Sequence, residues 1–147
     1  MKRCVLVLLS LAVAGVAAEK SLQLKDLPAA VQKSVADNAK GGEIKNISME
    51  KEKGVSQYEV ETMLNGKHRD FNVDGKGALL VVEEETAIDS VPAVVKAAMV
   101  KKAGTGKITM VETVVKSGVT QFEAAITSKA GKKSEALFNA DGTAAKN

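Results

Sequence analysis

Val55-Ser56-Gln57-Tyr58-Glu59-Val60-Glu61 is written a second time in this chain, as Val119-Thr120-Gln121-Phe122-Glu123-Ala124-Ala125. Each copy has a period of two. Tyr58, Val60, Thr62 and Leu64 fall on one side, and Gln57, Glu59, Glu61 and Met63 on the other. In the second copy Phe122, Ala124 and Ile126 oppose Gln121, Glu123 and Thr127. This alternation predicts a strand of an antiparallel sheet, with one face on a core and a solvated outer face.

The match extends both ways. Leu27-Pro28-Ala29 returns as Val91-Pro92-Ala93 and Gly42-Glu43-Ile44 as Gly106-Lys107-Ile108, at the same spacing as the echo itself. Phe71-Asn72-Val73-Asp74-Gly75 returns as Phe138-Asn139-Ala140-Asp141-Gly142, at a slightly longer spacing. The difference places a short insertion between Ile126 and Phe138, near Lys129-Ala130-Gly131. Ordered identities of this kind describe one unit, duplicated.

Each unit opens with a helix. Asp26-Leu27-Pro28 precedes Val31, Val35 and Ala39 at four-residue spacing, and Gly41-Gly42 stops the helix. Asp89, Ser90 and Pro92 precede Val95, Ala98 and Met99, with an end near Gly104. Strands follow. Residues 44–51 and 107–116 are β-rich but alternate poorly, which predicts a bulge or strong twist in each. Lys53-Gly54 and Ser117-Gly118 turn into the echoed strands, and Asn65-Gly66 is a hairpin turn into residues 67–73. There Phe71 and Val73 face the core and His68 faces away. Asp74-Gly75 leads into residues 78–85, whose Leu79-Leu80-Val81-Val82 run reads as a strand buried on both faces. The expected fold is α+β: two tandem helix-plus-antiparallel-sheet repeats with the helices packed on one face of the sheet.

Residues 1–18 read as a secretory signal. Lys2 and Arg3 precede an apolar run, and Val16-Ala17-Ala18 supplies small residues before a cut after Ala18. The run is too short for an ordinary membrane span, so no stable membrane insertion is expected once it is cleaved. Cys4, the one cysteine, leaves with the signal, so the exported chain has no disulfide, thiol nucleophile or cysteine metal site. Residues 19–86 and 87–147 then form the two repeats, the second with its last strand missing or vestigial. Units of this size are marginal alone, and they are expected to share one core or a continuous sheet.

Removing Lys2 and Arg3 leaves 19 basic residues against 18 acidic ones, a net charge of +1. No nucleic-acid partner is called for. His68 is the only histidine, beside Arg69 and Asp70, and no nucleophile or orienting partner is nominated for it. Glu83-Glu84-Glu85 and the two Asp-Gly turns lack the spaced oxygen ligands of a calcium loop. The sequence therefore calls for no catalytic residue, no metal and no cofactor.

The Leu-Pro-Ala-Ala-Val, Gly-Gly-x-Ile, Tyr-Glu-Val-Glu and Val-Asp-Gly-Lys motifs, within a match from about Leu24 to Gly142, resemble the PepSY-like domains related in fold to the β-lactamase inhibitor protein. The resemblance implies an exported, non-catalytic, periplasmic or secreted module that binds a protein or peptide across its open sheet face. It implies inhibition of a protease or other envelope enzyme as a mode. The chain departs from the inhibitor in having no disulfides and no aromatic anchors on its sheet face, which speaks against a β-lactamase as the target. On this reading Gln57, Glu59, Glu61, Gln121, Glu123 and Thr127 line an exposed partner-binding surface. The alternative is a small structural or stress-related envelope protein that self-associates.

Overall fold

The computed structural model describes residues 21–52 and 55–145. The expected signal, its cleavage site and Cys4 lie outside the described residues, as does the Lys53-Gly54 turn. The elements run α1 (Ala29–Ala39), β1 (Glu43–Glu52), β2 (Val55–Leu64), β3 (Lys67–Asp74), β4 (Leu79–Glu85), α2 (Ala93–Ala103), β5 (Lys107–Lys116), β6 (Val119–Thr127) and β7 (Lys133–Asn139). The seven strands form one antiparallel sheet in sequence order, and both helices pack on the same face. The α+β repeat architecture read from the sequence is the one observed.

The repetition reaches small details. A short 3-10 turn precedes each helix, at Leu24–Asp26 and Ile88–Ser90. Pro28 and Pro92 stand at the helix starts, where their carbonyls accept the N–H groups of Gln32 and Lys96. A proline here loses nothing, because first-turn N–H groups lack intrahelical partners. The expected irregularity in β1 and β5 is a register shift at equivalent places, between Ile44 and Asn46 and between Ile108 and Met110. Asn65-Gly66 and Ser117-Gly118 both take positive φ at their hairpins, as tight two-residue turns require.

Each repeat has its own core on the helix face. Leu27, Val31, Val35, Ala39, Ile47, Val60, Phe71 and Val73 form the first. Val91, Val95, Met99, Val111, Phe122, Ala124, Ile126 and Phe138 form the second. The repeats are joined through the sheet, where β4 pairs with β5 from Val81↔Lys116 to Glu85↔Glu112. Of the two expected arrangements, the continuous sheet is the one present, over two separate cores. The β4 expectation needs correction. Leu79 is 44% exposed and only Val81 of the Leu79-Leu80-Val81-Val82 run is buried. Its helix-side residues lie towards the seam between the two cores, where helix cover is thin. After β7 the chain returns through a turn to one isolated bridge, Phe138↔Ala144.

Two glycines let strand ends approach the helices. At Gly77 (φ +83°) an added Cβ would stand 2.5 Å from the Ala30 carbonyl oxygen, and at Gly142 (φ +82°) 2.8 Å from that of Val94. Gly77→Ala combines a left-handed backbone with a clash against rigid backbone. It is expected to cost about 2 kcal/mol, read as a lower urea midpoint with unchanged slope.

Candidate functional site: the helix-free face of the sheet

Strand register fixes which side chains share the face away from the helices. Ser48 of β1 lies across from Glu59 of β2, which lies across from Asn72 of β3 and then Val81 of β4. The neighbouring row runs from Asp70 to Glu83 of β4, Val114 of β5, Gln121 of β6 and Asn139 of β7. A third row sets Glu85, Glu112 and Glu123 directly opposite one another on β4, β5 and β6. Cross-strand hydrogen bonds confirm the shared side: Ser48 Oγ to Glu59 (3.5 Å), Asn46 Nδ2 to Glu61 (3.3 Å), Gln57 Nε2 to Glu50 (3.4 Å) and Gln121 Nε2 to Asn139 (3.0 Å).

The expectation of a solvated outer face is overturned. Gln57 and Glu59 are each only 6% exposed, and Glu61, Gln121, Glu123 and Thr127 are half-buried. Period-two alternation states that two faces differ in polarity; it does not state how much water either one sees. All six residues do lie on the one face. They occupy its two wings, and the residues between them are ones the echo does not contain: Asp70, Asn72, Glu83 and Glu112, all buried.

Carboxyls buried opposite each other are electrostatically unfavourable when ionised. Burial, reinforced by Glu123, Glu112, Asp70 and Glu59, pushes the Glu83 carboxyl up to about 9. Burial with Glu135 and Glu112 raises Glu123 to about 8. Burial with Asp70, Glu135 and Glu85 raises Glu112 to about 7. Burial also raises Glu135. Asp70 is raised by burial, although its Oδ1 accepts the Thr62 N–H at 2.9 Å. Several polar atoms are left over: both amide atoms of Asn72, Glu112 Oε1 and Glu135 Oε2 are buried without a hydrogen-bond partner.

Elsewhere the acidic groups have ordinary structural work. Asp74 Oδ1 accepts the N–H groups of Lys76 and Ala78, each at 2.8 Å, and Asp141 Oδ1 accepts the N–H and the hydroxyl of Thr143. These bonds lower both carboxyls. They make the two Asp-Gly sequences turns, at equivalent places in the repeats. His68 is half-buried and lines an open cleft of about 450 Å³ with Leu64, Asn65, Glu85, Thr86 and Thr113 among others. Among the described residues no group of three or more His, Cys, Asp or Glu is placed to hold a metal ion.

No family model matches the chain, and no curated protein matches it. Solved structures do. One is a Bacteroides eggerthii protein assigned to the periplasm, with a TM-score of 0.65 and 17% identity over 82% of this chain and 86% of that one. Another is a DUF2874 family protein from Bacteroides ovatus, with a TM-score of 0.62 and 14% identity over 82% and 85%. A BLIP-like protein from Bacteroides fragilis has a TM-score of 0.55 and 20% identity over 82% and 84%. The fold is the one these DUF2874 and BLIP-like proteins share. At such identities the likeness concerns the fold, and the chemistry of the sheet face is this chain's own.

Asp70, Asn72, Glu83 and Glu112 are buried residues of this face that the sequence does not single out as site residues. A signal for Glu112 existed in the repeat itself. The positions equivalent to Glu112 and Glu123 in the first unit are Ser48 and Glu59, a cross-strand pair on the same face. Nothing comparable locates Glu83, because Val114 and the Glu112 and Glu123 carboxyls come beside it only when β4 is paired with β5.

Proposed function

We propose that this is an exported, non-catalytic protein-binding module of the periplasm or cell exterior, which holds its partner on the helix-free face of the sheet. Inhibition of a protease or other envelope enzyme is the mode we assign to it. The supporting observation is the state of that face. Buried carboxylates stand opposite one another, and Asn72 and Glu112 keep buried polar atoms without partners. Such groups lower stability by about 1–3 kcal/mol each, so the fold does not gain by keeping them. A ligand that supplies the missing hydrogen bonds and charges does. The BLIP-like neighbour and the periplasmic assignment of another support the same reading. Gln57, Glu59, Glu61, Gln121, Glu123 and Thr127 form the wings of the proposed interface.

The self-association alternative meets an unfavourable edge. The edge strand β1 carries Glu43, Lys45, Glu50 and Lys51, and its Ile47 carbonyl already accepts the Leu22 N–H at 2.8 Å. Charges on an edge oppose strand pairing between copies.

The test is an affinity pull-down from the cell envelope and medium with the exported chain tagged at its C-terminus. A single stoichiometric envelope protein is expected, and Glu59→Lys with Glu123→Lys should weaken its capture at least about tenfold. Recovery of the protein alone, or capture that ignores both reversals, would count against the interface.

A further inference from the structure

Carboxylates dominate the centre of the helix-free face, and none of the ion pairs among the described residues reaches Asp70, Glu83, Glu112 or Glu123. His68, two residues from Asp70 on β3, opposes the rise at Asp70 without outweighing its burial. Asp70 faces Glu83, and Glu112 sits between Glu85 and Glu123. The ion pairs among the described residues are Lys33–Asp37, Lys45–Glu43, Arg69–Glu84 and Lys96–Asp89, all away from this row. The lysines of this face, Lys107, Lys116 and Lys133, are exposed at strand ends.

Two further features narrow what could fill it. Asn72, only 1% exposed, projects from the same face beside the row, with Glu59 on one flank and Val81 on the other. Its Nδ2 and Oδ1 are both without partners, so it offers donor and acceptor together, the complement of a peptide group. Val81 and Val114, each 6% exposed, form an apolar strip in the middle of the carboxylates, Val114 directly opposite Glu83. A bare cation would use the carboxylates and leave the amide donor and the valines unserved. A lysine or arginine residue uses all three, with its stem on the valines, its head on the carboxylates and its backbone at Asn72.

Building on the interface proposed above, we infer that this face takes a Lys- or Arg-bearing segment of a partner protein, seated on Val81 and Val114 with its cations among Asp70, Glu83, Glu112 and Glu123. The partner is therefore recognised through a basic, partly aliphatic stretch of chain.

Calorimetric titration with an alternating lysine–valine octapeptide tests this, with a glutamate–valine octapeptide and calcium chloride as separate probes, on the protein purified in its exported form. The lysine peptide is expected to bind in the micromolar range, and about tenfold more weakly at high salt. Binding should be lost in the Glu83→Gln, Glu112→Gln, Glu123→Gln variant, whose circular dichroism and melting report that it is folded. Failure of the lysine peptide to bind, equal binding by the glutamate peptide or by the variant, or stoichiometric calcium binding that displaces the peptide would each overturn the inference. If the pulled-down partner responds to Glu59→Lys and Glu123→Lys while the lysine peptide does not bind, the interface stands and its cationic occupant falls. If the peptide binds as expected but the partner ignores both reversals, the interface reading falls and the inference built on it falls too.

Discussion

The melting temperature of this protein is expected to fall as pH is raised from 5 to 8, the reverse of a protein held together by salt-bridged carboxylates. An unfolded glutamate ionises near 4.5, whereas in the fold Glu112, Glu123 and Glu83 do so near 7, 8 and 9. Between those limits the folded state binds more protons than the unfolded state, so each rise in pH favours unfolding. The stability these groups confer is fully present below about pH 4.5 and is lost as pH climbs through the folded values. Each group removes up to about 1.4 kcal/mol per pH unit within its window. An aggregate loss of about 4 kcal/mol by pH 8 is expected after relaxation of the face, a large share of the roughly 5–15 kcal/mol that holds such a domain. For a domain of this size that corresponds to a melting point lower by roughly 10–20 °C. Asp74, Asp89 and Asp141 are shifted down and act oppositely, but only as pH falls below their unfolded value of 3.8. The optimum therefore sits near pH 4–5. Melts followed by circular dichroism across this range check the claim, and the triple glutamine variant should flatten the profile and melt higher than the parent at pH 8. A profile that is level or rises with pH would show that these carboxyls are hydrated and ionised in the fold.

That expectation came from register, and register is what the sequence conveys least. The repeat, both helices, the hairpin turns and even the paired bulges of β1 and β5 are legible because they rest on local chemistry. Proline opens a helix, Asn-Gly turns a hairpin and alternation marks a strand. The core residues Val60, Phe71 and Phe122 follow from the same alternation, and Phe138 from its equivalence to Phe71. The helix-free face does not. Glu59 and Glu123 are visible as outward residues of two strands, but the centre of the face is created by the β4–β5 seam. That pairing sets Glu85 against Glu112 and Glu83 against Val114, and no local signal announces it. The exposure of Leu79 went unforeseen for the same reason, since an apolar run gives no position within the sheet.

Arg69→Ala is expected to destabilise the fold by about 3 kcal/mol, and the reason lies in an asymmetry between the repeats. Arg69 belongs to β3 on the helix side, and its side chain is only 5% exposed. Its Nε donates to the Asn38 carbonyl in the last turn of α1 at 3.1 Å, and its Nη1 donates to Glu84 of β4. A guanidinium at a helix C-terminus meets the negative end of the helix dipole, so one side chain ties α1 to two strands. Ala136 stands before Phe138 in the second repeat as Arg69 stands before Phe71 in the first, and it packs at the margin of the second core. Repeat 1 thus carries an ionic tie where repeat 2 has a small apolar contact. The two members of the pair are not equally buried, since Glu84 is 47% exposed. Removing Arg69 returns Glu84 to water, whereas removing Glu84 leaves a buried guanidinium with one carbonyl. Glu84→Ala is therefore expected to cost about 2 kcal/mol, far above an ordinary surface ion pair. Arg69→Met, which refills the volume without the charge, should cost less than Arg69→Ala. Urea unfolding of the three variants measures the order directly. A Glu84→Ala loss within about 0.5 kcal/mol of zero would mean that water reaches the guanidinium, and that the tie is a surface contact.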